Sequence, residues 1–254
     1  MDGQGSGAAS EPPDGVAWNA ATALTADEAL AMDGWLASEL GLSLEQLMEV
    51  AGARVADVAR ELVREHGLAE AVFLVGPGHN GGDALVAERL LRAELHTLVW
   101  RPLSRPRPAE PVAPAGAAAP RVTTTAPRVT TTAPALGART LLVDGLFGVG
   151  LRRPLQGAAR AAAAHIDASD ATVLSIDIPS GLHATTGAVP AARGSPRGVA
   201  IRADLTLTFV APKRGFFLGS GPALVGAWRV VDLGFPPRLA HEWLARRRAA
   251  EAAP

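Results

Sequence analysis

The residues best suited to chemistry lie in a glycine-rich turn at residues 75–83. Its sequence, Val-Gly-Pro-Gly-His-Asn-Gly-Gly-Asp, stands between an apolar run at 71–75 and a helix-like run at 84–95. The glycines let backbone amides approach a ligand, and the following helix would point its positive end at the same place, so the turn suits an anion. Asn80 and Asp83 add an amide oxygen and a carboxylate, which suit a cation or a proton-transfer step better than a phosphate.

The same turn matches the dinucleotide-binding fingerprint, because Gly76, Gly78 and Gly81 have its spacing between a strand and a helix. Proteins with that fingerprint hold the ribose with an acidic residue at the end of the second strand. Here the second apolar run ends at Trp100 and Arg101 without an acid, which disfavours a standard Rossmann dehydrogenase. The chain also has no Tyr, the catalytic residue of short-chain dehydrogenases, so that class is excluded.

Two further apolar runs end in an aspartate. Asp144 closes one run and precedes a glycine loop that continues into Arg152 and Arg153, whose guanidinium groups suit phosphate. Asp177 closes the other, and Ser180 follows three residues later. Because Asp177 follows an apolar run directly, we expect it to be partly desolvated with a raised pKa, which would help it to transfer protons.

These strand ends are expected to meet, because loops at the carboxyl ends of parallel strands open onto one crevice. Together they supply only oxygen ligands, namely Asn80, Asp83, Asp144, Asp177 and Ser180. Such a set matches a hard cation, although residue types alone do not separate potassium, magnesium and calcium. Both Asp144 and Asp177 could instead simply cap their turns. Ser180 lacks a Gly-x-Ser-x-Gly setting and an evident His partner, which disfavours Ser-His-Asp catalysis.

The elements that must position these residues follow an alternating pattern. Capping boxes at Thr25 and Ser43 predict a helix to about Leu40 and a second, amphipathic helix that ends at Gly67. Beyond it, predicted strands at 71–75, 95–100, 140–144, 172–177, 203–210 and 225–231 are interleaved with predicted helices at 84–95 and 158–166. Continuous apolar strands separated by helices are typical of a parallel sheet covered on both faces. We therefore predict a three-layer α/β/α Rossmann-like sandwich with a mostly parallel central sheet and N-terminal helices.

Composition limits the range of partners. The 254 residues are 48% hydrophobic, enough for a sizeable core, and one α/β domain is expected. A formal net charge of −1 gives no general attraction to nucleic acid or an anionic membrane, and no apolar stretch reaches about 18 residues. Small-molecule partners are expected. The absence of Cys fits a reducing compartment.

The predicted domain covers residues 24–237. A flexible leader is expected at 1–23, and a low-complexity insertion at about 104–137, which contains a tandem heptapeptide, is expected to be a mobile surface excursion. The tail at 238–254 is interpreted as a solvated terminal helix. Lys213 is the only lysine in the chain.

Together the motifs resemble the NAD(P)H-hydrate epimerase family, the YjeF N-terminal domain. The resemblance covers about residues 24–236, in order, through Leu-Met-Glu-Val-Ala-Gly at 47–52, the glycine turn, residues 143–154, Asp-Ile-Pro-Ser-Gly at 177–181 and Ala-Pro-Lys at 211–213. This chain departs from the family pattern at His79, which replaces an Asn, at Ala84, which replaces a Gly, and at Gly145, which replaces an Ala.

The resemblance implies a site and an activity. One potassium ion per subunit would be coordinated by Asn80, Asp144 and Ser180. Substrate contacts would fall on His79, Asn80, Gly81, Gly82, Asp83, Gly148, Val149, Gly150, Leu151, Arg152, Arg153, Pro154 and Asp177. The family isomerase interconverts the R and S forms of NADHX and NADPHX, so that a separate S-specific dehydratase can repair both. A homodimer and a cytoplasmic location are expected, with a mitochondrial one left open.

The chemistry of the hydrate agrees with this reading. Its C6 atom carries a hydroxyl next to the ring nitrogen, so protonating that hydroxyl and expelling water gives a planar iminium that water can re-enter from either face. Asp177 is the expected catalytic proton donor and acceptor. Ring opening is an alternative route. The alternative function is a non-catalytic nucleotide-binding scaffold that acts through a protein partner.

Overall fold

A seven-stranded sheet organises the chain. The computed structural model describes residues 17–105 and 126–252, so most of the expected leader and residues 106–125 of the expected insertion lie outside the described part. The strands are β1 (Glu70–Val75), β2 (His96–Trp100), β3 (Val129–Thr130), β4 (Thr140–Gly145), β5 (Thr172–Ile176), β6 (Leu205–Phe209) and β7 (Ala227–Val231). Their order is β3-β2-β1-β4-β5-β6-β7, and every neighbouring pair is parallel.

Helices cover both faces of this sheet. They are α1 (Ala26–Leu40), α2 (Leu44–His66), α3 (His79–Leu91), α4 (Gly157–Asp167), the short α5 (Gly221–Leu224) and α6 (Pro237–Glu251), with a 3₁₀ turn at Arg214–Phe217. Alternate strand residues such as Phe73 and Val143 pack against α2 and α3, while Leu74 and Leu142 point to the opposite face and α4. The predicted three-layer α/β/α arrangement is confirmed.

Both N-terminal helices begin and end where their local signals place them. Thr25 and Ser43 each form a complete capping box, with Glu28 and Gln46 as the reciprocal partners. Gly67 adopts the left-handed conformation after α2, with a φ of 61°. Local hydrogen bonding therefore sets these boundaries.

The helix after the glycine turn differs from its prediction. It runs over His79–Leu91 and so includes the second half of the turn, whereas residues 84–95 were expected. Glycine pairs disfavour helix in isolation, but here they permit close packing. A Cβ on Gly81 would lie 2.1 Å from the Gly76 carbonyl oxygen, and one on Gly82 would lie 2.2 Å from Met48 Sδ. Tertiary contact thus overrides the local propensity.

The terminal segments are more closely integrated than expected. Helix α6 exists as predicted, but Ala240 and Leu244 are buried, so one of its faces packs on the domain instead of being solvated. Arg248 of α6 binds Glu28 of α1 at 2.6 Å. Within the expected insertion, Val129–Thr130 adds an edge strand to the sheet. No helix in the two described stretches is long and apolar enough to cross a membrane.

We predict that Gly52 is needed for the close packing of α2 on α3. A Cβ there would lie 2.4 Å from Val86 Cβ and 2.8 Å from the Asp83 carbonyl oxygen, so Gly52→Ala should lower the free energy of unfolding by about 1–3 kcal/mol. Gly34 lies inside α1 with no atom near its Cβ position, so Gly34→Ala should instead be stabilising by about 0.5–1 kcal/mol. Urea unfolding of both variants measures the difference. If the two substitutions changed the free energy of unfolding equally, the close packing of α2 on α3 at Gly52 would not be the cause.

Candidate active site

A cavity of about 600 Å³ opens at the carboxyl end of the sheet. Its walls come from the segments that follow β1, β4, β5 and β6, as the strand-end argument predicts, and from one side of α1. Of the expected substrate-contact residues, the lining includes His79, Asn80, Asp83, Gly148, Val149, Gly150, Leu151, Arg152, Arg153 and Asp177. The sheet topology therefore brings three separate motifs to one concave surface.

Three expected substrate-contact residues are not part of the cavity lining. Gly81 and Gly82 approach the Gly76 backbone and the Met48 side chain, as described above, and Pro154 follows the last lining residue of its loop. The two glycines therefore bring α3 close to its neighbours. Contact of these three residues with substrate stays a prediction.

Asp144 and Ser180 form a buried cluster behind the cavity wall. Both side chains are completely buried. Asp144 Oδ1 accepts hydrogen bonds from Ser180 Oγ at 2.6 Å and Leu146 N at 3.2 Å, and Oδ2 accepts from Ser180 N at 2.9 Å and Ser175 Oγ at 3.0 Å. Burial raises the pKa of Asp144, although these bonds act in the opposite direction. All four donors are neutral.

Asn80 joins this cluster through the loop after β4. Its Nδ2 donates to the carbonyl oxygens of Phe147 at 3.2 Å and Ile176 at 3.1 Å. Ser180 Oγ also lies 3.1 Å from the Phe147 carbonyl oxygen, and the Phe147 amide donates to the same hydroxyl at 2.9 Å. Asn80 Oδ1 faces Gly148 and accepts no hydrogen bond within the described part of the chain. The structure therefore gathers the three expected cation ligands into one connected group.

This group suits a hard monovalent or divalent cation by its donor chemistry. It offers carboxylate, hydroxyl and amide oxygens around a buried charge that no basic side chain contacts among the described residues. The described residues contain no cluster of three or more His, Cys, Asp or Glu side chains that could hold a metal. A cation at this place would thus depend on neutral oxygens as much as on Asp144.

Asp177 forms an ion pair that the sequence motifs did not identify. Its Oδ1 accepts a hydrogen bond from Lys213 Nζ, and Thr208 Oγ1 lies 3.3 Å from the same oxygen. Asp177 has a positive φ of 64°, which is uncommon for a residue with a side chain. Its side chain is 13% exposed and that of Lys213 only 3%.

Two other carboxyl groups at the cavity hold their protons more tightly than usual. Burial raises the pKa of Asp83 to about 8, with further contributions from the charges of Asp177 and Asp33. Burial also raises the pKa of Asp33 to about 6, again with Asp177 opposing its ionisation, while Lys213 acts in the opposite direction. Asp83 is therefore protonated at neutral pH and can donate a proton.

Sequence reasoning missed Asp33 altogether. The residue lies in α1, where Ala29, Met32 and Leu36 form the buried face. Asp33 falls at the remaining position of the same i, i+3, i+4, i+7 stripe. The feature of the sequence that could have identified Asp33 is an acidic residue inside the apolar stripe of a helix.

Two arginine side chains contribute positive charge to the cavity lining. Arg152 and Arg153 both line the cavity, and Arg152 forms an ion pair with Asp27 at the start of α1. The Arg152 side chain is about half exposed, so its guanidinium is accessible to a ligand. His79, at the first position of α3, is also exposed and lines the cavity. The polar end of an anionic ligand would be bound here.

Comparison with known proteins places these features in context. Residues 44–215 match the family model described as YjeF-related protein N-terminus. The NAD(P)H-hydrate epimerase of Limosilactobacillus fermentum is 31% identical over 211 residues, which cover 83% of this chain and 96% of that protein. That of Bordetella pertussis is 35% identical over 213 residues, covering 80% and 84%.

Longer relatives and a solved structure are also similar. The bifunctional NAD(P)H-hydrate repair enzyme Nnr of Thermofilum pendens is 37% identical over 217 residues, covering 82% of this chain but 39% of that protein. The chain thus spans about two fifths of the length of such bifunctional relatives. The crystal structure of the yeast protein YNL200c superimposes with a TM-score of 0.56 at 18% identity, covering 85% of this chain and 94% of that one. This last likeness concerns the fold alone.

We predict that Asp83 makes stability depend on pH. The unfolded chain loses this proton near its ordinary pKa of 3.8, whereas the folded state keeps it until about pH 8. Between these values the folded state binds more protons, so wild-type stability falls as pH rises. Asp83→Asn removes this loss, so its melting temperature relative to wild type should rise by roughly 3–6 °C for each pH unit within this range, since one pH unit corresponds to about 1.4 kcal/mol and about 1 kcal/mol corresponds to roughly 2–4 °C in a domain of this size.

Asp33→Asn provides the internal comparison. The gain in melting temperature of Asp33→Asn over wild type should stop increasing near pH 6, the pKa of Asp33. The gain of Asp83→Asn should continue to increase up to about pH 8. Thermal unfolding without substrate, followed across this pH range, measures both. If the difference in melting temperature between each variant and wild type did not change with pH, these pKa values would be refuted.

Proposed function

Because this chain belongs to the family described as YjeF-related protein N-terminus, we propose that it is an NAD(P)H-hydrate epimerase, an isomerase that interconverts the R and S forms of NADHX and NADPHX. Relatives of similar length at 31% and 35% identity carry that name. The observation that carries the proposal is that the anion-binding turn, Asp83 and Asp177 share one cavity. Its volume of about 600 Å³ is in the range of cofactor-sized sites.

The two ends of the cavity fit the two ends of the substrate. The start of α3 and the guanidinium groups of Arg152 and Arg153 provide positive charge for the nucleotide phosphates. Met32 and Phe209 line the same cavity, and Phe209 N lies 3.5 Å from Asp177 Oδ1, so a nicotinamide-derived ring can pack on this apolar surface near Asp177. This orientation brings the ring, and not the phosphates, to the carboxyl groups.

The proposed reaction needs one proton to be given and returned. An acid at the site protonates the C6 hydroxyl. The C6–O bond then breaks, a water molecule departs, and the ring becomes a planar iminium. Water then adds to the opposite face of C6 and gives its proton back to the protein. Asp177 is the proposed catalytic residue: it passes a proton from Asp83, which is protonated at neutral pH and lines the same cavity, to the C6 hydroxyl, and it takes a proton from the incoming water that then returns to Asp83.

Asn80, Asp144 and Ser180 are the proposed holders of a potassium ion. When bound, the ion supplies positive charge beside a fully buried carboxylate that has only neutral donors around it. The chain's own contribution is to keep the loops after β4 and β5 together, since Ser180 and Phe147 bind each other across them. These loops carry Gly148 and Asp177 into the cavity.

The proposal extends to the repair system. The longer relatives are named bifunctional repair enzymes, which supports a functional link between this chain and an S-specific NAD(P)HX dehydratase. A homodimer is proposed from family membership. The non-catalytic scaffold is the alternative that the assay below addresses.

Asp177→Asn tests the function and its catalytic residue together. Purified R-NADPHX is incubated with the protein in potassium buffer, and the S form is measured by conversion to NADPH with an S-specific dehydratase. We expect wild type to epimerise R-NADPHX above the rate without enzyme and Asp177→Asn to lose at least about 100-fold in kcat, while still binding NADP⁺. Asp57→Asn, whose carboxylate lies on the outer side of α2 and is 58% exposed, should match wild type.

The outcomes separate two kinds of failure. Wild type that binds NADP⁺ but does not epimerise R-NADPHX would favour the scaffold. An active wild type together with a fully active Asp177→Asn would keep the function and overturn the role of Asp177.

Ser180→Ala and Ser175→Ala test the cation site. Both serines are completely buried, and both donate a hydrogen bond to Asp144, but only Ser180 is a proposed ligand. Ser180→Ala should raise the potassium concentration needed for half-maximal activity by at least about tenfold. Ser175→Ala should leave that concentration close to the wild-type value. Equal shifts in the two variants would show that the serines act only by holding Asp144.

A further inference from the structure

Lys213 is an unusual residue for this chain. It is the only lysine in 254 residues, and the chain otherwise uses arginine where a permanently charged basic side chain occurs. It lies at the cavity, yet its side chain is only 3% exposed. A buried ammonium group is costly unless it is paired and hydrogen-bonded. Its contacts therefore indicate what it does.

All of the hydrogen-bonding capacity of the Lys213 ammonium is used inside the protein. Nζ donates to Asp177 Oδ1 and lies 2.9 Å from Thr208 Oγ1, 3.3 Å from the Ala211 carbonyl oxygen and 3.4 Å from that of Phe209. An ammonium has three protons, so these four acceptors leave none for a ligand. Lys213 can thus influence a reaction in the cavity only through a neighbour.

That neighbour is Asp177, and its two oxygens have different surroundings. Oδ1 faces Lys213, Thr208 and, at 3.5 Å, the Phe209 amide. Oδ2 accepts no hydrogen bond from any residue in the described ranges, although Asp177 lines the cavity. The contacts with Lys213 therefore hold one oxygen and leave the other for a ligand.

The backbone is strained on both sides of this pair. Asp177 and Val210 are the two non-glycine residues with positive φ in the part of the chain that the structure describes, each at 64°. Asp177 follows β5 and Val210 follows β6, so both strained residues lie where adjacent strands deliver the carboxylate and the ammonium. A β-branched residue in this conformation is a strong outlier, and such strain persists where the surrounding structure enforces it.

A third segment fixes the lysine from the other side. Leu24 pairs with Lys213 as an isolated parallel bridge, with hydrogen bonds from Leu24 N to the Pro212 oxygen at 3.0 Å and from Arg214 N to the Leu24 oxygen at 2.6 Å. The main chain at Lys213 is thus tied to Leu24, two residues before the start of α1. The backbone at Lys213 is therefore held more firmly than the backbone of an incidental ion pair on the surface.

We propose that Lys213 is a positioning residue, which holds Asp177 Oδ1 so that Asp177 Oδ2 faces the reacting C6 atom of the hydrate. This inference rests on the proposed epimerase function. Lys213 does not touch the substrate and transfers no proton to it. Its loss should therefore reduce kcat, because Asp177 is no longer held, and should leave nucleotide binding nearly unchanged.

Lys213→Met is the direct test, because methionine keeps much of the length but removes the charge. We expect a roughly 100-fold loss of kcat with R-NADPHX, a KM within about threefold of wild type, and unchanged binding of NADP⁺. Glu88→Gln is the matched control: Glu88 is a fully buried partner in an ion pair with Arg92, on α3 and away from the cavity lining. It should lower the melting temperature and leave kcat unchanged.

The absence of cysteine allows a sharper version of this test. In Lys213→Cys the new thiol is the only one in the chain, so alkylation is specific. Bromoethylamine converts it to a lysine analogue with a sulfur in place of one methylene, whereas iodoacetamide adds a neutral group of similar length. Alkylation in urea followed by refolding, with wild type treated in parallel, gives two proteins that differ in one charge.

The expected result is that the aminoethylated protein recovers most of the lost kcat and the carbamoylmethylated protein does not. Recovery by both, or a Lys213→Met variant with kcat within about threefold of wild type, would overturn the proposal. A loss of kcat in Glu88→Gln equal to that in Lys213→Met would also overturn it, since the effect would then be one of general stability. An inactive wild type would refute the epimerase function itself.

Discussion

The burial of several carboxyl groups at the carboxyl end of one sheet is the constraint on which the rest of this structure depends. A buried charge is unfavourable unless it is paired, hydrogen-bonded or neutralised. This chain uses three solutions within one site. Asp144 accepts four hydrogen bonds from neutral donors, Asp177 pairs with Lys213, and Asp83 and Asp33 retain their protons to higher pH. These different solutions give chemically similar side chains different roles.

The helices and turns around the site hold these carboxyl groups in place. Close approach at Gly52 brings α2 against α3, and close approach at Gly76 and Gly81 brings the glycine turn against the loop after β4 and against α3. On the opposite side, α1 closes the cavity and is itself held by the contact of Glu28 with Arg248 of α6. The family match covers residues 44–215, so α1 and α6 lie outside it. The strand-end motifs of the cavity thus belong to the shared core, whereas the part of the cavity wall that α1 supplies lies outside it.

Much of the fold follows from local patterns, and the exceptions have a common cause. The caps at Thr25, Ser43 and Gly67 and the alternation of apolar runs with helices predicted the confirmed layers, because capping bonds and side-chain periodicity act over a few residues. The start of α3 was predicted five residues too late, since the contacts that make its glycines favourable come from Gly76 and Met48. The burial of one face of α6 was missed for the same reason, as its partner is α1.

The sequence by itself determined the chemical groups of the site and the strand ends that carry them, because a residue's position after an apolar run can be read locally. It thereby placed Asp83, Asp144 and Asp177 at one edge of a parallel sheet. Only the tertiary structure decided which charge meets which partner. Asp177 and Lys213 are 36 residues apart and meet because β5 and β6 are neighbours. Asp33 reaches the cavity from α1, which precedes all seven strands of the described residues. Ionisation depends on distance and burial in three dimensions, and neither is set by residues adjacent in the chain.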